Sequence, residues 1–216
     1  MSTIAQNIAA IRATIPENVQ LVCVSKFHPA EAIMEAYNIG ERDFGESRVQ
    51  ELCLKQSQLP ADIRWHFIGH LQTNKVRQIV PFVHLIHSVD SIHLLETINA
   101  EAERIHRVVN ILLEVHTANE TTKSGFMPDE LLNVKSAICN LKYPNVNVLG
   151  LMTMATNTTD ETEIHRCFKQ LPNLRSSIFN GDAILSMGMS DDYLLAIQDG
   201  SNMVRIGTDI FGSRQY

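Results

Sequence analysis

The chain has 216 residues, 44% hydrophobic and 19% charged, with a formal net charge of -6. That is enough chain for one full core and too little positive charge for a general nucleic-acid binder. No apolar run approaches the roughly 20 residues of a membrane span, and residues 1–7 lack the charged start and apolar core of a secretory leader.

Ile4, Ile8 and Ile11 open the chain at helical spacing and predict a helix over 4–13. The apolar, β-branched run 21–25 follows and ends at Lys26, the pattern of a buried strand. Further strands are expected at 43–45, 65–68, 85–89, 109–115, 146–152, 183–187 and 203–206. Helical patterns lie between them over 30–38, 48–58, 92–104, 129–137, 161–170 and 191–198. Ser91 is placed to cap one helix, Pro128-Asp129-Glu130 opens another, and Ser190-Asp191-Asp192 offers a cap with acids in the first turn. The four cysteines, Cys23, Cys53, Cys139 and Cys167, are widely spaced. Free thiols in a reducing cytoplasm are expected rather than a disulfide framework.

Strands alternating with helices at roughly two dozen residues per unit predict an α/β fold, a (β/α)8 TIM barrel with an extra N-terminal helix. A doubly wound open sheet is the structural alternative, disfavoured by the number and evenness of the strands. No Pro/Gly-rich linker divides the chain, so residues 1–216 are expected to form a single domain.

Functional groups of such a barrel gather just after the strand ends. Lys26 follows the first strand there, and a lysine at that edge is a Schiff-base candidate. A solvated lysine that merely ends a strand is the bland alternative. After strands seven and eight stand Ser186-Met187-Gly188-Met189-Ser190 and Gly207-Thr208, with hydroxyls, open backbone N–H groups and a helix start. Barrels hold phosphate in those two loops, although ordinary turns and caps would read alike. An amine across the mouth from a phosphate cradle describes a pyridoxal phosphate site. Arg205, beside Gly207, would then face the pyridine nitrogen and leave it unprotonated; a structural ion pair is the other role open to it. His66 is expected to satisfy a polar contact near the mouth, and Met152, Met187 and Met189 to pack as core or line a cofactor face.

The segment Trp65-His66-Phe67-Ile68-Gly69-His70-Leu71-Gln72-Thr73-Asn74-Lys75 resembles the signature of the YggS/PROSC family of pyridoxal phosphate homeostasis proteins. Val24-Ser25-Lys26, Phe44-Gly45-Glu46, Lys123-Ser124-Gly125, Gly150-Leu151-Met152 and Met203–Thr208 match in the same order, so the resemblance spans nearly the whole chain. It implies a fold-type III barrel like the N-terminal domain of alanine racemase, with the cofactor covalently on Lys26. Carried over by position, Ser186, Ser190, Gly207 and Thr208 hold the phosphate and Arg205 faces the ring nitrogen. One departure is Ser47, where the family usually has asparagine after Gly-Glu; a contact near the cofactor is lost or bridged by water.

Two function classes follow. In the first, the chain binds pyridoxal phosphate and buffers it or delivers it to apo-enzymes, as a cytoplasmic monomer without a dedicated turnover. In the second, it is a racemase-like enzyme, which needs an acid/base group opposite the lysine. Alanine racemase takes that group, a tyrosine, from a further domain that this chain, ending at Tyr216, is not expected to have. Tyr37, Tyr143, Tyr193 and Tyr216 sit at no convincing strand end, which favours the carrier. A barrel for another phosphorylated metabolite is a third possibility. His66 and His70, or His84 and His87, are spaced for a metal but lack a third ligand. Lys123, in the loop after strand five, is a candidate transient holder of the cofactor, with a solvated loop lysine as its alternative.

Overall fold

A computed structural model describes residues 3–120, 122–139, 142–179 and 181–213, apart from the side chains of residues 132 and 137–139. The Cys139 thiol and Tyr216 therefore lie outside the described residues. The strands β1 (Gln20–Val24), β2 (Asp43–Glu46), β3 (Arg64–Phe67), β4 (Leu85–Val89), β5 (Val109–Glu114), β6 (Val146–Met152), β7 (Ile184–Ser186) and β8 (Met203–Ile206) run in sequence order. All pair in parallel, and β8 returns to β1 to close the barrel.

Side-chain alternation in the strands sorts the core into two layers. Leu21 and Cys23 of β1 join the large cluster between strands and helices, whereas Val22 packs with Leu85, Leu112, Met152 and Met203 inside the barrel. The same period turns Val24 and Lys26 inward at the carboxyl end of β1, toward one cavity.

The outer ring comprises α2 (Ala30–Asn38), α3 (Val49–Gln58), α4 (Val76–Ile79), α5 (Ile92–Arg104), α6 (Leu131–Cys139), α7 (Glu161–Phe168), α8 (Gln170–Ile178), α9 (Tyr193–Gln198) and α10 (Thr208–Phe211), preceded by α1 (Ile4–Arg12). A reciprocal cap starts α1: Thr3 Oγ1 accepts from Gln6 N–H and Gln6 Oε1 accepts from Thr3 N–H. Ser91 caps α5 through Leu94 N–H, as the sequence suggests.

Three local expectations change. The pattern over 161–170 is α7 followed at once by α8, which carries Pro172 in its first turn, where a missing N–H has no intrahelical partner to lose. Pro128–Glu130 forms a separate 3-10 turn before α6. Ser190 does not cap α9, which begins only at Tyr193. Instead Asp192 Oδ1 accepts from Met189 N–H at 2.6 Å and closes the loop before the helix.

Candidate functional site

At the carboxyl end of the barrel lies a cavity of about 210 Å³, lined among others by Lys26, Ser190, Arg205, Gly207 and Thr208. It is smaller than the roughly 300–1,000 Å³ pockets of drug-sized ligands and suits a small metabolite.

Lys26 stands on a clamped turn. Phe27 has φ 67°, a region costly for a bulky side chain. Its N–H donates to Glu51 Oε1 at 2.7 Å, which holds the turn in that shape. Lys55 reaches from α3 to donate to Glu51 Oε1 and Glu46 Oε1, each at 2.7 Å, and to the Ser25 carbonyl at 2.8 Å. Ser25 Oγ also donates to Glu46 Oε1. Burial pushes the Glu46 carboxyl up to about 7, with Lys55 and Ser25 acting against it.

Arg205 is 4% exposed at the cavity floor. Nη1 donates to Ser186 O and Ser186 Oγ, both at 2.7 Å, and Nη2 donates to Thr153 O at 3.0 Å. These partners are neutral, so the structural ion pair considered for Arg205 does not form among the described residues. Burial pulls its pKa down to about 10, so it stays charged at neutral pH. Glu114, also buried, is pushed up to about 7 by burial and then by Asp90.

Lys26, Ser190, Arg205, Gly207 and Thr208 therefore meet in one space although they come from opposite ends of the chain. Closure of β8 on β1 produces that meeting, with Val22 in register with Arg205. Ser186 and His66 do not reach the cavity wall. Both are fully buried inside the barrel, where Ser186 Oγ is taken up by Arg205 and His87. Met152 lies one layer below the mouth in the inner core, and Met187 is buried on the helix side. Ser47 lines a separate surface hollow with Arg48, His70 and Lys75. His70 is turned outward, 3.2 Å from Asp90, and so does not join His66. Lys123 donates to Ala155 O at 2.5 Å and pairs with Glu120 at 3.2 Å, outside the cavity lining.

Ile68, Met154 and His28 complete much of the wall without having been singled out in the sequence. Two had a readable signal. Ile68 and Met154 lie two residues beyond His66 and Met152, on the same strand face and one layer closer to the mouth.

The alanine racemase N-terminal domain pattern matches residues 1–215. The pyridoxal phosphate homeostasis protein of Schizosaccharomyces pombe is 40% identical over 225 residues, covering 99% of this chain and 94% of that protein. Its namesake from Pseudomonas aeruginosa is 40% identical over 228 residues, covering 100% and 98%. The solved structure of PipY from Synechococcus elongatus with pyridoxal phosphate bound superposes with a TM-score of 0.85 at 36% identity, covering 97% of this chain and 100% of that one. Alanine racemase from Streptomyces lavendulae shares the fold, with a TM-score of 0.79 at 18% identity over 97% of this chain and 56% of its own. Together with the closed barrel, these similarities place the chain in the pyridoxal phosphate homeostasis protein family, built on the alanine racemase N-terminal barrel.

Proposed function

We propose that this chain binds pyridoxal 5'-phosphate in the mouth cavity, covalently through Lys26, and serves cofactor homeostasis by buffering or delivery without a dedicated turnover. The observation that carries this is the convergence of Lys26, Arg205, Ser190, Gly207 and Thr208 on one small cavity. The names of the full-length relatives and the cofactor in the PipY structure support it.

The donor set fits the cofactor. Lys26 supplies the amine for the aldehyde, while the hydroxyls of Ser190 and Thr208 and the open backbone at Gly207 suit the phosphate. Ile68 and Met154 give the ring an apolar wall. When bound, the cofactor supplies an electrophilic aldehyde and an electron-withdrawing ring. Arg205 acts on that second property. A guanidinium aimed at the ring nitrogen donates a hydrogen bond and gives up no proton, so the nitrogen stays neutral and the ring a poor electron sink.

The tyrosines also favour a carrier over a racemase. Tyr37 is bonded to Asp62 at 2.8 Å, Tyr143 to Glu96 at 3.2 Å and Tyr193 to Thr14 at 2.9 Å, and none lines the cavity. The same reading takes residues 1–216 as one barrel domain and the protein as a cytoplasmic monomer, with apo-enzymes that use the cofactor as recipients.

Protein incubated with pyridoxal phosphate should gain a visible band, and borohydride should fix the cofactor on the Lys26 peptide. A protein that stays colourless, or a label on another lysine, would overturn the site. Turnover of any one amino acid at the roughly 1–1,000 per second of ordinary enzymes would overturn the carrier role.

A further inference from the structure

A row of buried polar side chains runs through the barrel and ends at Arg205. At the opposite end, Arg64 grips Asp43 with two bonds of 2.7 and 2.6 Å. Asp43 Oδ1 lies 3.0 Å from His66 Nε2, His66 Nδ1 lies 2.9 Å from His87 Nε2, and His87 Nδ1 lies 2.9 Å from Ser186 Oγ. Ser186 Oγ then accepts from Arg205 Nη1 at 2.7 Å. His66, His87 and Ser186 are 0% exposed.

The two ends of this row limit the order of its protons. Burial acts to raise Asp43, but the hydrogen bonds from Arg64 and His66 outweigh it and hold the carboxyl well below the usual range, so it accepts. Burial, reinforced by His66 and Arg205, keeps the His87 ring neutral. Asp43 only accepts, so His66 donates to it through Nε2–H, and the proposed row has His66 Nδ1 accepting from His87 Nε2–H. His87 Nδ1 is then an acceptor, and the Ser186 hydroxyl must donate to it. Every donor points from Arg205 toward Asp43, and every bond in the row is made.

A serine hydroxyl rotates to suit its surroundings unless its own proton has a fixed acceptor. Here His87 Nδ1 is that acceptor, and it leaves the Ser186 lone pairs facing Arg205. We propose that Asp43, His66 and His87 are positioning residues that lock Ser186, and through it the Arg205 guanidinium, so that the ring-facing group is aimed from the far end of the barrel. This rests on the assignment of Arg205 to the ring nitrogen made above. An apolar barrel interior would hold the fold at least as well; what a fully satisfied polar row adds is a single orientation at its end.

The test uses full-length protein reconstituted with pyridoxal phosphate, reading the visible absorption maximum and the Kd for the cofactor. Arg205→Gln should move the band. His87→Leu should move it in the same direction and raise the Kd about tenfold, equivalent to about 1.4 kcal/mol. His87→Gln, whose amide can accept from Ser186 and donate to His66, should restore the wild-type band. If Arg205→Gln moves the band and His87→Leu leaves it at the wild-type position, the positioning row is refuted and the Arg205 assignment stands. If Arg205→Gln leaves the band unmoved, both are refuted. Should His87→Leu not fold, ¹⁵N spectra of histidine-labelled wild-type protein decide: both rings neutral and protonated at Nε2 support the row, and a His87 proton on Nδ1 overturns it.

Discussion

Two buried polar clusters hold the two cations of the mouth, and they are built on opposite plans. Beneath Lys26, on the helix side of β2, Lys55 faces Glu46 and Glu51 directly, charge on charge. Both bonds to Glu46 fall on Oε1, and its Oε2 is buried with no partner among the described residues. Beneath Arg205, inside the barrel, two imidazoles and a hydroxyl lie between the charges, and the only carboxylate in the row is matched by Arg64. The outer cluster is thus half satisfied and under electrostatic load, whereas the inner row is complete. Sensitivity to mutation and pH should divide along that line.

The largest effect is expected from Lys55→Met. Glu46 is 0% exposed, and losing its ammonium partner leaves a buried carboxylate uncompensated. A loss of about 3–5 kcal/mol is expected, read from the urea midpoint; a loss near zero would mean that Lys55 does not carry the clamp.

Opposite pH slopes would sharpen the comparison. The folded Glu46 carboxyl, at about 7, lies above the roughly 4.3 of an unfolded glutamate. Its contribution to stability is therefore fully present below about 4.3 and is lost as pH rises through about 7, on the order of 2–4 kcal/mol in all. Glu114 acts in the same direction. His87 is depressed in the fold, so its contribution is present above the roughly 6.5 of an unfolded histidine and is lost as pH falls below it. Glu46→Gln should flatten the decline in stability between about pH 4.5 and 7 without touching the acid limb. Unfolding curves of the wild type and Glu46→Gln across that range measure this, and equal steepness in the two proteins would remove Glu46 as the source.

Asp43→Asn should have the smallest effect. The amide oxygen can still accept from His66, and Arg64 is half solvated, with 47% of its side chain exposed. What is lost is the charge on the acceptor and the bond from Arg64 Nη2, which an amide nitrogen cannot accept, about 1–2 kcal/mol in the same denaturation assay. A loss as large as that of Lys55→Met would show that the inner row is loaded like the outer cluster.

Much of this was legible in the sequence because strand period and strand ends are local properties. Alternation from Leu21 puts Lys26 on the inner face, and the same alternation puts Arg205 there between Met203 and Gly207. The depth of a residue along the barrel axis was not local. Ser186 reads as a cradle hydroxyl beside Gly188, yet it lies below the mouth, where Arg205 and His87 claim it. Met152 packs in the inner core, one of the two roles its sequence allows, and Met154, two residues on, reaches the cavity instead. The Pro172 helix was hidden because proline reads as a stop until its place in a first turn is known.

By itself the sequence determined the alternation of strands and helices, the lysine at the end of β1 and the hydroxyl- and glycine-bearing loops around β7 and β8. These follow from periodicity and residue chemistry within a few neighbours. Only the tertiary structure decided who bonds to whom: that Glu51 and Lys55 clamp the Lys26 turn, and that His66 and His87 connect Asp43 to Ser186 across a barrel closed by β8 on β1. Those bonds join residues 21 to 99 positions apart, and a hydrogen bond of about 2.9 Å tolerates no uncertainty in strand register or depth.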